Sequence, residues 1–192
     1  MATLPERLTD GVIVVRRYRL DDATALQAAV EASLAELRPW MPWAATEPIA
    51  LEERAAFLRG SIDAWGDDYT VGIWDAADET RFLGGTGLHA RIGPGGWEIG
   101  YWVRTDAAGL GIATRAARLL TSAAFEHLGA DHVEIHHDEA NERSGRIPRR
   151  LGFELVATEP DPPVAPGDSG IECRWRMTDD RWRAAQTSAA AR

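Results

Sequence analysis

The sequence predicts an α/β protein of the α+β type, with one mixed, mostly antiparallel, twisted sheet of about seven strands flanked by helices. The main observation is a run of three strand candidates at 69–74, 82–89 and 97–103, separated by turn-rich segments that suit antiparallel neighbours. Helical patterns precede and follow this run. We predict a single domain over 1–192, with a mobile tail over about 186–192.

The N-terminal part is predicted to contain one strand and two helices. Apolar residues at 12–15 indicate the strand, and Asp21 and Asp22 then suit the start of a helix that Pro39 ends. The residues on the apolar face of this helix are Leu26, Val30, Leu34 and Leu37. A second helix is expected over 51–65, where apolar residues again recur at helical spacing.

The C-terminal half alternates helices and strands. A long helix is predicted from Ile112 to a stop at Gly129, and a short helix from Asn141, in which Pro148 predicts a kink or an early end. The remaining predicted elements are a strand at 133–137, a strand at 153–157, an irregular loop at 158–170, a strand at 172–177 and a helical turn at 179–185.

Charge and composition argue against several functional classes. The net charge of −9 and the pI near 5 argue against nucleic acid as a partner and favour a cationic one. All 21 basic residues are arginine, which excludes Schiff-base catalysis by an internal lysine. The single cysteine, Cys173, is expected to be a buried thiol rather than a nucleophile. No apolar run is long enough to span a membrane, so we expect a cytoplasmic location and no membrane partner.

A glycine-containing junction lies between the strand predicted at 97–103 and the helix predicted from Ile112. Gly109 and Gly111 let the backbone approach an anion closely, and the first turn of a helix presents free N–H groups with partial positive charge. We interpret the junction as a pyrophosphate cradle. A tight turn with a purely structural purpose is the open alternative, since neither a P-loop nor a dinucleotide fingerprint is complete here.

Two motifs resemble the GNAT superfamily of acyl-CoA N-acyltransferases. The stretch 108–113 is similar to the superfamily's Gln/Arg-x-x-Gly-x-Gly/Ala signature, with Gly111 and Ala113 at the two small-residue positions. Further along, Asn141 and Ser144 form an Asn-x-x-Ser pattern that is followed by Leu-Gly-Phe, as in the CoA-binding half of that superfamily. Both motifs occur in the expected order and at about the expected separation.

Within the superfamily, the stretches 36–43 and 98–102 resemble the RimJ/RimL-type branch, which contains ribosomal-protein N-terminal acetyltransferases. The resemblance covers roughly residues 12–182. Ala108 departs from the signature, which usually has Gln or Arg there, so phosphate binding would depend more on backbone donors. Pro148 also departs, because the helix usually carries Ala at that position.

The resemblance implies a GNAT fold, in which two central strands splay apart and hold the pantetheine arm of acetyl-CoA between them. Here those strands would end near Val103 and Asp138, and Gly100 is a candidate β-bulge, although close packing explains a glycine equally. The implied co-substrate is acetyl-CoA, with succinyl-CoA or another acyl-CoA left open. The predicted contacts to it are Val103, Ala108, Gly109, Leu110, Gly111, Ile112, Ala113, Thr114, Asn141 and Ser144.

The resemblance also implies catalytic roles. The N–H of Val103 would stabilise the tetrahedral oxyanion, and Ser144 would give a proton or a hydrogen bond to the departing thiolate. Asn141 would hold pantetheine or the start of its helix. A plain helix cap is the alternative for both Asn141 and Ser144.

Glu98 is the predicted general base, directly or through water, because it alternates away from its apolar neighbours and so faces the acceptor cleft. An ion pair with an arginine on the sheet face is a nearly equal alternative. Tyr101, a further candidate proton donor, is predicted with Trp40 and Trp43 to contact the acceptor, and core packing explains each aromatic residue as well.

Three histidines and an aspartate near the strand predicted at 133–137 raise the question of a metal site. His136 and His137 are adjacent, so along a strand their side chains point to opposite faces. We therefore predict no metal.

Together these features predict an acetyl-CoA-dependent N-acetyltransferase (EC 2.3.1.-) in which a primary amine attacks directly within a ternary complex. A peptide or protein N-terminal α-amino group is the preferred acceptor, since its pKa of about 7.7–8.0 makes it easier to deprotonate than lysine. A small amine, such as an antibiotic, a polyamine or an amino acid, is the alternative. A non-catalytic CoA-binding regulatory module is an alternative of a different class, and a homodimer is a plausible assembly.

Overall fold

The computed structural model describes the backbone of residues 3–190 and the side chains of residues 3–187. A sheet of eight strands forms its centre. The strands are β1 (Arg7–Thr9), β2 (Ile13–Arg17), β3 (Asp68–Asp75), β4 (Phe82–His89), β5 (Gly96–Val103), β6 (His132–Asp138), β7 (Glu154–Pro160) and β8 (Ile171–Thr178). Their spatial order is β1-β2-β3-β4-β5-β6-β8-β7, and every neighbouring pair is antiparallel except β5 with β6.

Six helices accompany this sheet in the described part of the chain. They are α1 (Ala23–Glu31), α2 (Leu34–Leu37), α3 (Leu51–Asp63), α4 (Ile112–His127), α5 (Glu142–Leu151) and α6 (Asp179–Ala190). Short 3₁₀ turns lie at Leu20–Asp22, Pro42–Thr46 and Thr105–Ala107. The predicted class, a mostly antiparallel sheet flanked by helices, is confirmed.

Each face of the sheet has its own apolar layer, because alternate residues of a strand point to opposite faces. On one face, Leu120 and the alanines of α4 pack with Val15 and Val133. On the other face, the helices α1 and α3 pack over Val14 and Trp74. The sheet therefore separates two sides of the molecule, the α4/α5 side and the α1/α3 side.

Several elements differ from the sequence prediction in extent. Strand β1 was not expected, since its three residues carry no alternating apolar pattern, and it adds an eighth strand by pairing with β2. The first helix is not continuous, because it ends at Glu31 and a separate turn, Leu34–Leu37, follows. Helix α6 continues to Ala190, beyond the predicted turn, and the last two residues of the predicted tail lie outside the described part.

The prediction of a β-bulge at Gly100 is wrong. The β4–β5 register runs without a shift from Gly84 opposite Val103 to His89 opposite Glu98, with Gly87 opposite Gly100. Of the two effects predicted for Pro148, the early end of its helix is wrong, since α5 continues to Leu151, and the kink stays a prediction.

Leu120 offers a test of the α4 layer, because its side chain is fully buried. We expect Leu120→Ala to lower the free energy of unfolding by about 2–5 kcal/mol, through lost apolar burial and a cavity. Leu155→Ala is the matched control, since Leu155 is 46% exposed on an edge strand, and it should change that free energy by about 0.5 kcal/mol or less. Urea unfolding measures both. Equal losses would contradict the assigned packing.

Candidate active site

The two parallel strands at the centre of the sheet separate halfway along their length. They pair only at Gly96 with His132, Trp97 with Val133 and Glu98 with Glu134. Beyond these pairs β5 stays bound to β4 and β6 to β8, so a wedge-shaped gap opens between them. This confirms the predicted splay between strands that end at Val103 and Asp138.

Backbone groups of β5 point into this gap. The N–H of Arg104 donates to the Leu83 carbonyl on the β4 side at 2.8 Å. Because the N–H and C=O groups of successive residues point to opposite edges of a strand, those of Val103 and Tyr101 face the gap, together with the carbonyl of Ile99. The Ile99 N–H lies at the Glu98–Glu134 pair, where β5 and β6 are still bonded. Polar backbone groups of this kind need a partner, and an extended ligand with amide groups can supply one.

The glycine junction lies next to the gap, at the start of α4. Gly109 and Gly111 have φ of 80° and 78°, in the left-handed region that favours glycine. Gly111 is the residue that caps the helix. A Cβ at either glycine would meet no other atom within 4 Å, so the unusual φ, rather than crowding, explains these glycines. No described side chain caps α4 at Gly111, and the first-turn N–H groups of a helix have no partner within the helix, which suits an anion.

At the start of α5, the predicted Asn-x-x-Ser pair forms a helix cap and also a contact with β5. The Asn141 side chain accepts a hydrogen bond from the Ser144 N–H at 3.2 Å, which is the capping alternative left open by the sequence. The Ser144 hydroxyl lies 3.0 Å from the Tyr101 hydroxyl. Burial raises the pKa of Tyr101 by more than its hydrogen bond with Ser144 lowers it. The Tyr101 hydroxyl therefore stays protonated.

Pro148 contributes to this contact. Proline has no N–H, so Pro148 leaves the carbonyl of Ser144, one helical turn earlier, without its usual helical donor. The Tyr101 hydroxyl lies 3.2 Å from that carbonyl and can donate to it. The departure from the superfamily pattern at Pro148 thus coincides with a contact between α5 and the splayed strand.

A cavity of about 290 Å³ occupies the gap. Its lining comes from both faces of the sheet, so it connects the α4/α5 side with the α1/α3 side. The lining residues are Trp40, Met41, Arg91, Glu98, Ile99, Gly100, Tyr101, His136, His137, Asp138, Asn141, Ser144, Asp161, Pro162, Pro163, Val164, Asp168 and Glu172. Five of them are carboxylates and one is an arginine, which suits a cationic ligand.

Glu98, the predicted base, is held by Arg91. Its two carboxylate oxygens accept hydrogen bonds from Arg91 at 2.7 and 2.5 Å. Without a bound ligand, Glu98 thus forms the ion pair with an arginine that was the alternative to its role as a base. Burial alone would raise the pKa of Glu98, but the hydrogen bonds and charge of Arg91, with smaller effects of His136 and His89, hold it below its usual value. Glu98 is therefore ionised at neutral pH and has little affinity for a proton.

The adjacent histidines point to opposite faces, as predicted. His136 lies on the α1/α3 side, with Nε2 at 2.6 Å from Glu134. His137 lies on the other side, where its Nε2 accepts a hydrogen bond from the Trp175 indole N–H at 3.0 Å. Burial lowers the pKa of His137, so it stays neutral. Among the described residues, no group of three or more acidic, histidine or cysteine side chains is arranged to hold a metal ion.

The candidate acceptor aromatics differ in position. Trp40 lines the cavity together with Met41. Trp43 follows Trp40 closely in the sequence but packs against Trp102, with ring centroids 6.0 Å apart, and its side chain is 39% exposed. The structure therefore brings Trp40 and Tyr101 to the cavity, and places Trp43 in an aromatic contact nearby. Cys173 is buried and its pKa is raised by that burial, as expected for an inert thiol.

One wall of the cavity comes from the loop between β7 and β8, which the sequence predicted only as irregular. Asp138 accepts hydrogen bonds from the backbone of Ser169 and Gly170, and Gly167 donates to the Pro39 carbonyl at 2.8 Å. Burial would raise the pKa of Asp138, but the N–H groups that it accepts from lower it to about 2. These bonds fix the loop against the Trp40 segment.

Sequence reasoning also missed Arg91 and the position of His136 in the cavity lining. Nothing in the sequence pairs Arg91 with Glu98. The signal for His136 was available, because strand alternation places it on the same face as Glu134. None of the helices in the part of the chain described here has the length and apolar character needed to cross a bilayer.

Comparison with known proteins identifies the family. Residues 13–154 match the family model described as "Acetyltransferase (GNAT) domain". Among curated proteins, a 56-residue stretch is 45% identical to the "Putative ribosomal N-acetyltransferase YdaF" of Bacillus subtilis (strain 168). That match spans 29% of this chain and 31% of that protein, or about a third of the relative's length.

Solved structures share the fold over nearly the whole chain. RimL, a ribosomal L7/L12 alpha-N-protein acetyltransferase in complex with coenzyme A, has a TM-score of 0.80 at 20% identity and covers 93% of this chain and 99% of its own. Mycobacterium smegmatis RimJ in complex with a CoA disulfide has a TM-score of 0.78 at 20% identity, with 99% and 95% covered. The microcin C7 self-immunity acetyltransferase MccE, in complex with acetyl-CoA and AMP, has a TM-score of 0.79 at 20% identity, with 92% and 98% covered.

The family model spans the central sheet from β2 to the start of β7, including the gap, the glycine junction and the Asn-x-x-Ser cap. At 20% identity, these solved structures show the fold of the chain, which is the GNAT fold. The chain therefore belongs to the GNAT acetyltransferase family.

Proposed function

We propose that this acetyltransferase transfers the acetyl group of acetyl-CoA to the α-amino group at the N-terminus of a peptide or protein. The observation that carries the proposal is the acid-lined cavity that crosses the sheet and reaches the hydrogen-bonded hydroxyls of Tyr101 and Ser144. Two substrates can meet there from opposite sides. One extended ligand would approach from the α4/α5 side, and an ammonium group from the α1/α3 side.

The residues present fit acetyl-CoA. The carbonyl of Ile99 and the backbone groups of Tyr101 and Val103 suit the amide groups of a pantetheine arm. The start of α4, with its two left-handed glycines, suits the pyrophosphate. Ala108 has no polar side chain, so this cradle relies on backbone donors alone. Succinyl-CoA or another acyl-CoA is the alternative donor, and absence of a metal stays a prediction.

The chemistry assigned to the chain's own residues has two parts. The N–H of Val103 would donate to the oxyanion that forms when the thioester carbonyl is attacked. The Ser144 hydroxyl, hydrogen-bonded to a tyrosine that stays protonated, would donate to the departing thiolate sulfur. Asn141 would then act on Ser144 through the helix cap.

The acceptor is inferred from charge and from the names of similar proteins. The carboxylates of the cavity favour an amine that arrives as an ammonium ion. Similar proteins include one named for a ribosomal-protein serine and one for the alanine of ribosomal protein S5. A small amine is the second candidate, favoured by the limited cavity volume of about 290 Å³. Homodimer formation stays a prediction, and β7 is the exposed edge strand available for it.

A thiol-release assay with acetyl-CoA tests the proposal. The acceptors would be peptides that begin with serine or alanine, the same peptides with blocked N-termini, and the small amines spermidine and glycine. We expect thiol release only with free-amine peptides, and mass spectrometry should show one added acetyl group on the N-terminal residue. Turnover confined to the small amines would contradict the peptide assignment. Binding of acetyl-CoA without any turnover would instead support a regulatory module.

The role of Ser144 gives a mutational prediction. We expect Ser144→Ala to lower kcat by about 10²-fold, the usual size of general-acid effects, while the affinity for acetyl-CoA measured by calorimetry stays nearly unchanged. Tyr101→Phe removes the hydroxyl partner of Ser144 and should lower kcat in the same direction by a smaller factor. A loss of acetyl-CoA affinity equal to the loss of kcat in Ser144→Ala would mean that this serine is only structural.

A further inference from the structure

His136 lies at the acceptor side of the cavity. It belongs to β6, two residues beyond the point where the strands part, and its side chain faces the α1/α3 side together with Glu98 and Glu134. Its Nε2 lies 2.6 Å from Glu134 Oε2. Its Nδ1 lies 3.3 Å from Glu172 and 3.9 Å from Glu98, and the side chain lines the cavity.

Each carboxylate around His136 also contacts an arginine. Arg91 binds Glu98, Arg176 binds Glu134 at 2.5 and 2.6 Å, and Arg174 lies 3.3 Å from Glu172. The charged groups that face the imidazole from β5, β6, β8 and the segment before β5 are thus Arg91, Glu98, Glu134, Glu172, Arg174 and Arg176. Glu98 and Glu134 therefore have an arginine partner without the ring, whereas Glu172 shares Arg174 with Glu159.

Glu134 fixes the orientation of the ring. It is 3% exposed, and burial alone would raise its pKa, but the hydrogen bonds and charges of His136 and Arg176 lower it, so it stays ionised. Nε2 has the shorter carboxylate contact, 2.6 Å to Glu134 against 3.3 Å from Nδ1 to Glu172, which favours the neutral tautomer that carries its proton on Nε2. The lone pair is then on Nδ1, the ring nitrogen that faces Glu98 and Glu172.

We propose that His136 is a catalytic residue that accepts the proton of the acceptor ammonium on Nδ1, with Glu134 as its positioning residue. The inference rests on the proposed acetyl transfer to an amine and gives that reaction its base. In this arrangement Glu98 and Glu172 attract the ammonium by charge and do not take its proton. Histidine is suited to this task because its ordinary pKa lies near neutral pH.

Each proton in the proposed reaction has a donor and an acceptor. The ammonium passes one proton to Nδ1 of His136, and the free nitrogen lone pair forms the N–C bond to the thioester carbonyl carbon. When the tetrahedral intermediate collapses, the C–S bond breaks and the electron pair stays on sulfur. The Ser144 hydroxyl gives its proton to the sulfur and is reprotonated by the second surplus proton of the nitrogen, and His136 returns its proton to solvent. The net products are amide, free thiol and one proton.

The test compares His136→Gln with wild type on a serine-initiated peptide, by thiol release between pH 6 and pH 9. Glutamine has an amide that can still contact Glu134, but it has no basic nitrogen. We expect kcat/KM to fall by about 10²-fold at pH 7, as for loss of a general base. The defect should shrink above about pH 8, where the α-amino group is already neutral in solution. Affinity for acetyl-CoA should stay unchanged by calorimetry.

His132→Gln is the matched control. His132 lies on the same strand and face, and its Nε2 is 3.8 Å from the same Glu134, but it does not line the cavity. We expect its kcat/KM to stay within about twofold of wild type, as for a substitution that removes no catalytic group. Circular dichroism and the acetyl-CoA affinity show whether each variant is folded, and His136→Asn serves as a second variant.

Three results would overturn the inference. An unchanged kcat/KM in His136→Gln would exclude a catalytic role for His136, and a loss of kcat/KM that is equal at every pH would mean that His136 only shapes the site. A pH-dependent loss of kcat/KM in Glu98→Gln, and not in His136→Gln, would assign the proton to Glu98. Absence of acetyl transfer by the wild-type protein is a separate result, which refutes the proposed function itself.

Discussion

The parting of β5 from β6 is the constraint on which the rest of the site depends. A three-residue parallel contact holds the two halves of the sheet together, and each strand is kept in place on its other side by an antiparallel neighbour. The gap therefore does not close by local adjustment, because closing it would break the ladders with β4 or β8. Backbone groups of β5 remain available for a ligand, and the cavity gains access to both faces of the sheet.

The two ends of this cavity differ in charge. The end on the α4/α5 side contains neutral groups, namely Tyr101, Ser144 and the neutral His137, which suit a thioester and its leaving sulfur. The other end carries carboxylates, of which Glu98 and Glu172 each lie beside an arginine and Asp138 accepts backbone N–H groups. An acidic protein without lysine can thus attract an ammonium group while keeping the reacting end free of fixed charge.

Much of the fold followed from the helical periodicity of α4 and from the turn-rich segments that separate β3, β4 and β5. The gap itself came from the resemblance of residues 108–113 and 141–153 to a family, since no local pattern predicts that two strands part. Three features could not be predicted: the pairing of Arg91 with Glu98, the cavity wall formed by the β7–β8 loop, and the contact of Tyr101 with the Ser144 carbonyl that Pro148 leaves without a helical donor. Each depends on side chains that meet across the fold, and β1 was missed because it has only three residues.

Hydrogen exchange with and without saturating acetyl-CoA tests the central claim most directly. The N–H groups of Tyr101 and Val103 face the gap, whereas those of Gly100 and Trp102 face β4. If the gap holds the pantetheine arm, exchange in peptides that cover 99–103 slows on binding, and NMR resolves the effect to the two gap-facing amides. If calorimetry shows saturation and these amides exchange as fast as before, the ligand binds elsewhere and the account is wrong.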